Sequence, residues 1–352
     1  MTSFWKTLPQ PFVGSAPMDG VTDHAFREIL AEFPAPDVIF TEFVNVEGLC
    51  HNANQLLKTL LYSQKQRPIV AQVYGKTLES FRQVAILVCE LGFDGIDINM
   101  GCPSKNVASG GSGAGLIKTP DLAVKIIEAV RRGVDDWANG ANCTNCSDFS
   151  KEFCQLASHQ SLLDQKNMDR KKIPVSVKTR IGTSEPELEN WISQLLETKP
   201  DALSIHGRTT KQAYKGQANW EVIGKIAQLA KTINSLTLII GNGDVQSRTQ
   251  GEELAKKYNL AGVLIGRAMQ GNPFVFSSDA SLEKNFPKIA LKHAQLYEKY
   301  FSHLPKYSFL PMRKHLAWYI KGVPEAKLVR QELVRANSSQ EVKQIFINFH
   351  LI

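Results

Sequence analysis

Eight short apolar runs constrain the fold of this chain more than any other feature. They are Phe12–Met18, Asp37–Val44, Pro68–Gly75, Gly95–Cys102, Val175–Ile181, Ala202–Arg208, Thr237–Asp244 and Gly262–Ala268. Most are near-continuously apolar rather than alternating, as parallel strands buried on both faces should be. Helical patterns lie between them. Leu78–Leu91 has apolar residues at helical spacing, and Trp220–Lys231 and Thr249–Tyr258 also read as helices. Thr119-Pro120-Asp121 opens another, a capping hydroxyl followed by Pro at the first helical position, expected to run to about Arg132. Strand–helix alternation repeated eight times predicts an α/β chain folded as a (β/α)8 TIM barrel, with a doubly wound sheet as the alternative. The polar residues separate the two. Pro17-Met18-Asp19, Gln72, Asn99 to Cys102, Lys178 with Arg180, His206 to Arg208, Asn242 to Asp244 and Gly266-Arg267 all close their runs. A barrel collects such run ends on one catalytic face.

One segment breaks the rhythm. Residues Gly133–Lys172 form a connection far longer than usual. It is polar and holds Cys143-Thr144-Asn145-Cys146, then Cys154 and His159. Cys-x2-Cys is a chelating spacing, but the rest of the set matches no zinc site, so a surface insertion without metal is expected. From about Lys288 the strand signal stops. Ile289–Phe301, Met312–Lys321, Glu325–Arg335 and Gln340–Phe349 read as short amphipathic helices, separated by Pro305, Pro311, Gly322-Val323-Pro324 and Asn337-Ser338-Ser339. The expected organisation is a barrel over residues 1–277, with an insertion at 133–172, and a small all-helical domain over 287–352. Ser277–Phe286 is the linker.

The charge is unevenly placed. Asn285–Ile352 holds eleven Lys/Arg and four Asp/Glu, a net of +7, which is the net charge of the whole chain. The preceding residues are neutral by count. A neutral domain with a basic appendage suggests a polyanionic partner held by the appendage, against the plainer reading of a solvated basic surface. No apolar run approaches membrane-spanning length, and Met1 to Lys6 lacks the apolar core of a signal peptide. Six cysteines in 352 residues are no secreted disulfide framework. A cytoplasmic protein without membrane contact is expected.

The run ends carry chemistry. Asn242-Gly243-Asp244 and Gly266-Arg267 close consecutive runs, where glycines let backbone N–H groups approach an anion and Arg267 adds charged donors; barrels commonly bind phosphate after strands seven and eight. Lys178, in Val-Ser-Val-Lys-Thr-Arg, is costly inside a barrel mouth unless it meets negative charge, such as that of a reduced flavin. His206 can donate to the same ring or to a phosphate, though a core histidine is the plainer reading. Gln72 and the Pro17-Met18-Asp19 turn can fix a ring's edge and face. Gly110 to Gly115 is no phosphate loop, because no Gly-Lys-Ser/Thr follows, and reads as flexible chain. Cys102, in Gly101-Cys102-Pro103, is a thiol at a strand tip; alone it would read as an inert buried cysteine.

Together, Ala16-Pro17-Met18, Asp97–Pro103, Val177–Gly182, Ile205–Thr209, Gly241–Asp244, Ile265–Arg267 and Arg313–Tyr319 resemble the tRNA-dihydrouridine synthase family. The resemblance covers nearly the whole chain, departing at the insertion. It implies an FMN barrel that reduces the C5–C6 bond of specific uridines in tRNA with NADPH, as a monomer. By position it implies Cys102 as proton donor. Pro17, Met18, Asp19, Gln72 and Lys178 would hold the isoalloxazine ring, with His206 near it. Asn242, Gly243, Asp244, Gly266 and Arg267 would hold the phosphate, and Asn99 and Arg180 the uracil. A base within folded RNA must be flipped out of its stack to be reached, and the basic helical domain would grip phosphates. Lys314 and Trp318, four apart on one helix, would pair a phosphate contact with an aromatic surface, unless Trp318 packs inward. Two competing readings are an FMN barrel acting on a free pyrimidine and a tRNA-binding protein that has lost catalysis. Neither explains the basic appendage and the intact Cys102 and Lys178 together.

Overall fold

The structure is a computed structural model that describes residues 3–51, 54–142, 170–233, 235–279, 281–282 and 284–352. Its eight strands are β1 (Phe12–Ser15), β2 (Ile39–Asn45), β3 (Ile69–Tyr74), β4 (Gly95–Met100), β5 (Val175–Arg180), β6 (Ala202–His206), β7 (Leu238–Asn242) and β8 (Gly262–Ile265). All are parallel, in the order β1-β8-β7-β6-β5-β4-β3-β2. The ring closes where Asp37 N–H donates to Val13 O and Ser15 N–H to Val38 O, each at 3.0 Å. The chain is therefore a TIM barrel. Gln72, Asn99, Lys178, Arg180, His206 and Asn242 lie in the C-terminal halves of their strands, while Pro17-Met18-Asp19, Cys102, Gly243-Asp244 and Gly266-Arg267 fall just beyond the strand ends, in the loops of the mouth.

Trp5, 1% exposed, plugs the barrel's N-terminal end against Phe12 and Phe40, with ring centroids 5.6 and 6.3 Å away. Burial of an indole is worth roughly 4–6 kcal/mol by area. The bottom of the barrel is thus dry and packed, which leaves the other end for a ligand. Among the described residues, no helix is long and apolar enough to cross a membrane.

The crossover helices include α1 (His24–Glu32), α2 (Leu78–Glu90), α3 (Pro120–Ala138), α4 (Ser193–Glu197), α5 (Trp220–Thr232) and α6 (Arg248–Tyr258). α3 outruns its expected end at Arg132. Gly133 is not a stop: a Cβ there would stand 2.3 Å from Arg82 O, so the glycine lets α3 lie close on α2. The proposed insertion therefore begins after α3, beyond Ala138. Arg170 donates to Trp137 O at 2.9 Å and Ala141 O at 2.8 Å, and its guanidinium lies over the Trp137 ring. The chain re-enters beside the point where it leaves, so the β4–β5 crossover is undisturbed. Cys143, Cys146, Cys154 and His159 lie outside the described residues; among those described, no cluster of metal-ligating side chains occurs.

Four helices follow the barrel: α7 (Phe286–Phe301), α8 (Leu310–Tyr319), α9 (Ala326–Leu333) and α10 (Ser339–Asn348). They pack on α1 and on the loop after β8. A Cβ on Gly271 would stand 2.3 Å from Trp318 O, and Trp318 stacks edge-on against His315 with centroids 4.9 Å apart. Trp318 thus takes the inward alternative. Lys314, expected to meet a phosphate, and its neighbour Arg313 both turn toward the protein. Arg313 donates to Ala336 O, Arg335 O and Asn337 Oδ1 at 2.7–3.0 Å, closing the end of α9. Lys314 is half-buried with Nζ over the Gly20 turn of the barrel.

Candidate active site

Successive strand side chains alternate between faces, so residues two apart share one. On β5 this sends Ser176, Lys178 and Arg180 up the inner wall, while Val175, Val177 and Thr179 pack outward. The register sets Asp97 beside Ser176 and Asn99 beside Lys178. Asp97, with no exposed surface, accepts from Ser176 Oγ at 2.6 Å and from Gln72 Nε2 at 2.7 Å. Gln72 Oε1 accepts from Asn99 Nδ2 at 3.0 Å, and Asn99 Oδ1 accepts the backbone N–H groups of Gly101 and Cys102, both at 3.0 Å. Burial pushes Asp97 up to about 6, against the Gln72 and Ser176 bonds and the Lys178 charge. Gln72 and Asn99 therefore each keep one amide N–H for a ligand.

Lys178 donates to Asn242 Oδ1 at 3.2 Å. Burial, then repulsion from Arg180, brings its ammonium down to about 8. Arg180, 2% exposed, donates to the carbonyls of Gly101, Thr209 and Ala213 at 2.8–3.1 Å. A guanidinium has five N–H donors, so two stay available. His206 Nε2 lies 3.3 Å from Arg208 Nη1. Because a guanidinium only donates, Nε2 accepts and the proton sits on Nδ1. Burial and the surrounding Lys178, Arg180, Arg208 and Arg267 hold the ring far below the usual histidine range, hence neutral.

The anion end is built from the loops after β7 and β8. Gly243 has φ +131°, and a Cβ there would stand 2.5 Å from Ala218 Cβ. Over Gly266, by contrast, a Cβ would meet only Ala16 and Met18, at 3.7 Å, so the space above it is open. Asp244 points its carboxylate at Arg208 (2.7 Å), Arg267 (2.7 Å) and Ala218 N–H (2.9 Å). Burial opposes ionisation, but these partners outweigh it and keep the carboxyl below its usual range. Asp244 offers an anion its backbone, not its side chain.

Cys102 stands on the rim, half-buried. Burial raises its thiol, with the Ser104 N–H, Arg180 and Lys178 working against the rise. The thiol is protonated at neutral pH. The glycine-rich stretch beside it is packed rather than loose: a Cβ on Gly113 would stand 3.3 Å from Cys102 Cβ, and Ala114 N–H donates to Cys102 O at 3.1 Å. Glycine there serves close approach. On the opposite rim, the Pro17-Met18-Asp19 turn is braced by Glu42, which accepts Gly20 N–H at 2.5 Å and is raised to about 7 by burial and by Asp23 and Asp19.

One cavity of about 840 Å³ is lined by Pro17, Met18, Asp19, Gln72, Asn99, Cys102, Lys178, Arg180, His206, Asn242, Gly243, Asp244, Gly266 and Arg267. Every residue singled out for the site meets there, and the volume is that of a cofactor site. The dihydrouridine synthase (Dus) family model matches residues 15–140 and 163–350. The chain belongs to the dihydrouridine synthase family. The stretch between the two matched parts falls within the insertion. A probable tRNA-dihydrouridine synthase of Staphylococcus aureus (strain COL) is 35% identical, over 99% of this chain and 95% of that one. Probable tRNA-dihydrouridine synthase 2 of Bacillus subtilis (strain 168) is 33% identical, over 99% and 96%. The protein is an oxidoreductase of this family.

Three residues of this dihydrouridine synthase had no role assigned from the sequence. Arg208, 2% exposed, ties His206 to Asp244. Tyr214, 59% exposed, lies under the guanidiniums of Arg180 and Arg267, at 5.7 and 5.4 Å. Asp97 anchors the floor. For Asp97 the signal was in the sequence, a polar residue two before Asn99 inside an apolar run; Tyr214, on a loop, gave none.

Proposed function

We propose that the chain reduces the C5–C6 bond of specific uridines in tRNA, with FMN in the barrel mouth, NADPH as reductant and Cys102 as proton donor. The observation that carries this reading is that an acid, a cation and an anion cradle line one cavity: Cys102, Lys178 and the Gly243/Gly266 pair. The relatives named above support tRNA as the substrate. FMN bound there would supply hydride chemistry for the uracil C6 position, with NADPH as the source of reducing equivalents. Lys178 provides positive charge at the ring edge where negative charge gathers. Gln72 binds the same edge with its spare N–H, and Pro17, Met18 and Asp19 cover the ring. Asn242, Gly243, Gly266, Arg267 and the backbone of Asp244 hold the phosphate, beside neutral His206.

Asn99 and Arg180 turn their remaining N–H groups to the uracil carbonyls. Cys102 gives its Sγ proton to C5, and Arg180 and Lys178 stabilise the thiolate left behind. The base must leave its stack to reach this site, and Tyr214 offers it an aromatic face at the rim. In this reading residues 1–277 form the catalytic domain and 287–352 the helical domain that steadies the RNA, in a cytoplasmic monomer. The test is Cys102→Ala. It should retain yellow FMN and oxidise NADPH but form no more than about 1% of the wild-type dihydrouridine, the scale of a lost general acid. Near-normal dihydrouridine in tRNA from the variant would sink the assignment.

A further inference from the structure

The proton donor sits on a loop whose first backbone donors, Gly101 N–H and Cys102 N–H, converge on one side-chain oxygen. Backbone N–H groups only donate, so Asn99 must face them with Oδ1 and present Nδ2 to Gln72. Gln72 must then accept with Oε1 and turn Nε2 to Asp97. The sequence of donors ends at Asp97, which also receives Ser176 Oγ. Each link forces the next, and the chain closes only if its last member accepts. A buried ionised carboxylate is the side chain that takes two donors with no proton of its own. Asp97, Gln72 and Ser176 are each 2% exposed or less, so little water reaches this network to substitute for a missing acceptor.

We propose that Asp97 is a positioning residue for uridine reduction: as the terminal acceptor of the Gln72–Asn99 chain, it fixes the amide orientation that holds the Cys102 loop. This rests on the reading of Cys102 as the proton donor. Asp97 lies outside the cavity lining and acts through Gln72 and, beyond it, Asn99. A residue that merely stabilised the barrel would slow both half-reactions alike; because Gln72 also meets the ring edge, Asp97 should touch flavin reduction slightly and uridine reduction far more.

The experiment measures the two half-reactions separately in the holoenzyme by stopped flow. With Asp97→Ala, flavin reduction by NADPH should stay within about threefold of wild type, while reoxidation by tRNA should slow by about tenfold or more, the scale of a lost charge-assisted hydrogen bond. Asp97→Asn keeps one acceptor oxygen, and Ser176 can rotate to receive its amide, so its loss should be smaller but again greater in the tRNA step. The Asp97→Ala effect should vanish when Asn99→Ala is already present, because the two act in series. Wild-type reoxidation in Asp97→Ala, equal slowing of both steps, or losses that multiply in the double variant would overturn the inference. If Asp97→Ala does not fold, the same comparisons with Asp97→Asn decide it. Cys102→Ala run alongside separates the two failures. If it reduces uridine normally, the proton-donor reading fails; if it is inactive while Asp97→Ala is normal, only the role of Asp97 fails.

Discussion

The barrel mouth and the helical appendage both hold cations, and they use them in opposite ways. By count the barrel is neutral and the appendage carries the surplus of +7. Yet four cations, Lys178, Arg180, Arg208 and Arg267, converge on the mouth. Lys178 and Arg180 are both depressed by burial, so each is costly until an anion arrives. In the appendage, Arg313 and Arg330 are committed to backbone carbonyls, as helix ends require, and Lys314 leans on the barrel. A charge tally therefore locates surplus, not demand. The seam joining the two regions follows a third rule, burying three histidines among aromatic rings. His24, His293 and His315 are buried there among Phe26, Tyr300 and Tyr319.

The seam gives the largest expected effect. Burial is the first cause that lowers all three histidines, His293 to about 3, with Arg27 and Lys299 adding at His24 and His293 and Lys314 adding at His315. A histidine with a depressed folded pKa contributes stability that is intact above its unfolded value near 6.5 and lost as pH falls toward the folded value. Each therefore loses stability as pH falls below about 6.5, while the raised carboxyls of Glu42 and Asp97 work the other way over the same range. The melting temperature should therefore fall less between about pH 6.5 and 5 in His293→Leu than in the wild type, by up to about 1.4 kcal/mol of stability per pH unit. Identical profiles for the variant and the wild type would mean that His293 takes up its proton as readily in the folded seam as in the unfolded chain.

Lys178→Ala probes the mouth. Without the ammonium, a reduced, anionic ring loses its counter-charge, so FMN should be held more weakly and its midpoint potential should fall by at least about 30 mV, the two-electron equivalent of a tenfold change. An unchanged potential would show that the buried cation serves only Asn242 and the fold.

The barrel was legible because strands buried on both faces write themselves as continuous apolar runs. Helix α1 was not, since it is buried nearly all round and mixes polar side chains with Ala25, Phe26, Ile29 and Leu30. His24, Arg27 and Glu28 are all buried, Arg27 bonding Thr22 O, Leu61 O and Gln66 Oε1. A search for apolar periodicity cannot see such a helix. In the site, strand-end residues were legible by position, and Cys102, Lys178 and Asn242 fell where expected. The partner of each was not, because hydrogen-bond direction belongs to the three-dimensional register rather than to spacing. Lys314 and Trp318 were correctly set on one helix, but the helix turns them toward the barrel, and no local pattern shows which face a docked helix presents.

The smallest expected effects separate structural from solvent-facing charge within the appendage. Arg313 closes α9 through three acceptors, whereas Lys321 and Lys327 are exposed, one on the turn between α8 and α9 and the other at the start of α9. Arg313→Ala leaves the Ala336 and Arg335 carbonyls without their donor, so it should lower stability by about 1–3 kcal/mol while leaving the salt dependence of tRNA binding near wild type. Lys321→Glu with Lys327→Glu should do the reverse. Removing one lysine–phosphate pairing takes roughly 0.7–0.9 from the slope of log affinity against log salt, with little change in melting temperature. NADPH oxidation should be untouched in both, since neither change reaches the cavity. Affinity measured at several salt concentrations, beside a thermal melt, distinguishes the two outcomes. If Arg313→Ala flattened the salt slope and the lysine pair did not, the appendage would be gripping RNA with the charges that this structure assigns to its own helix ends.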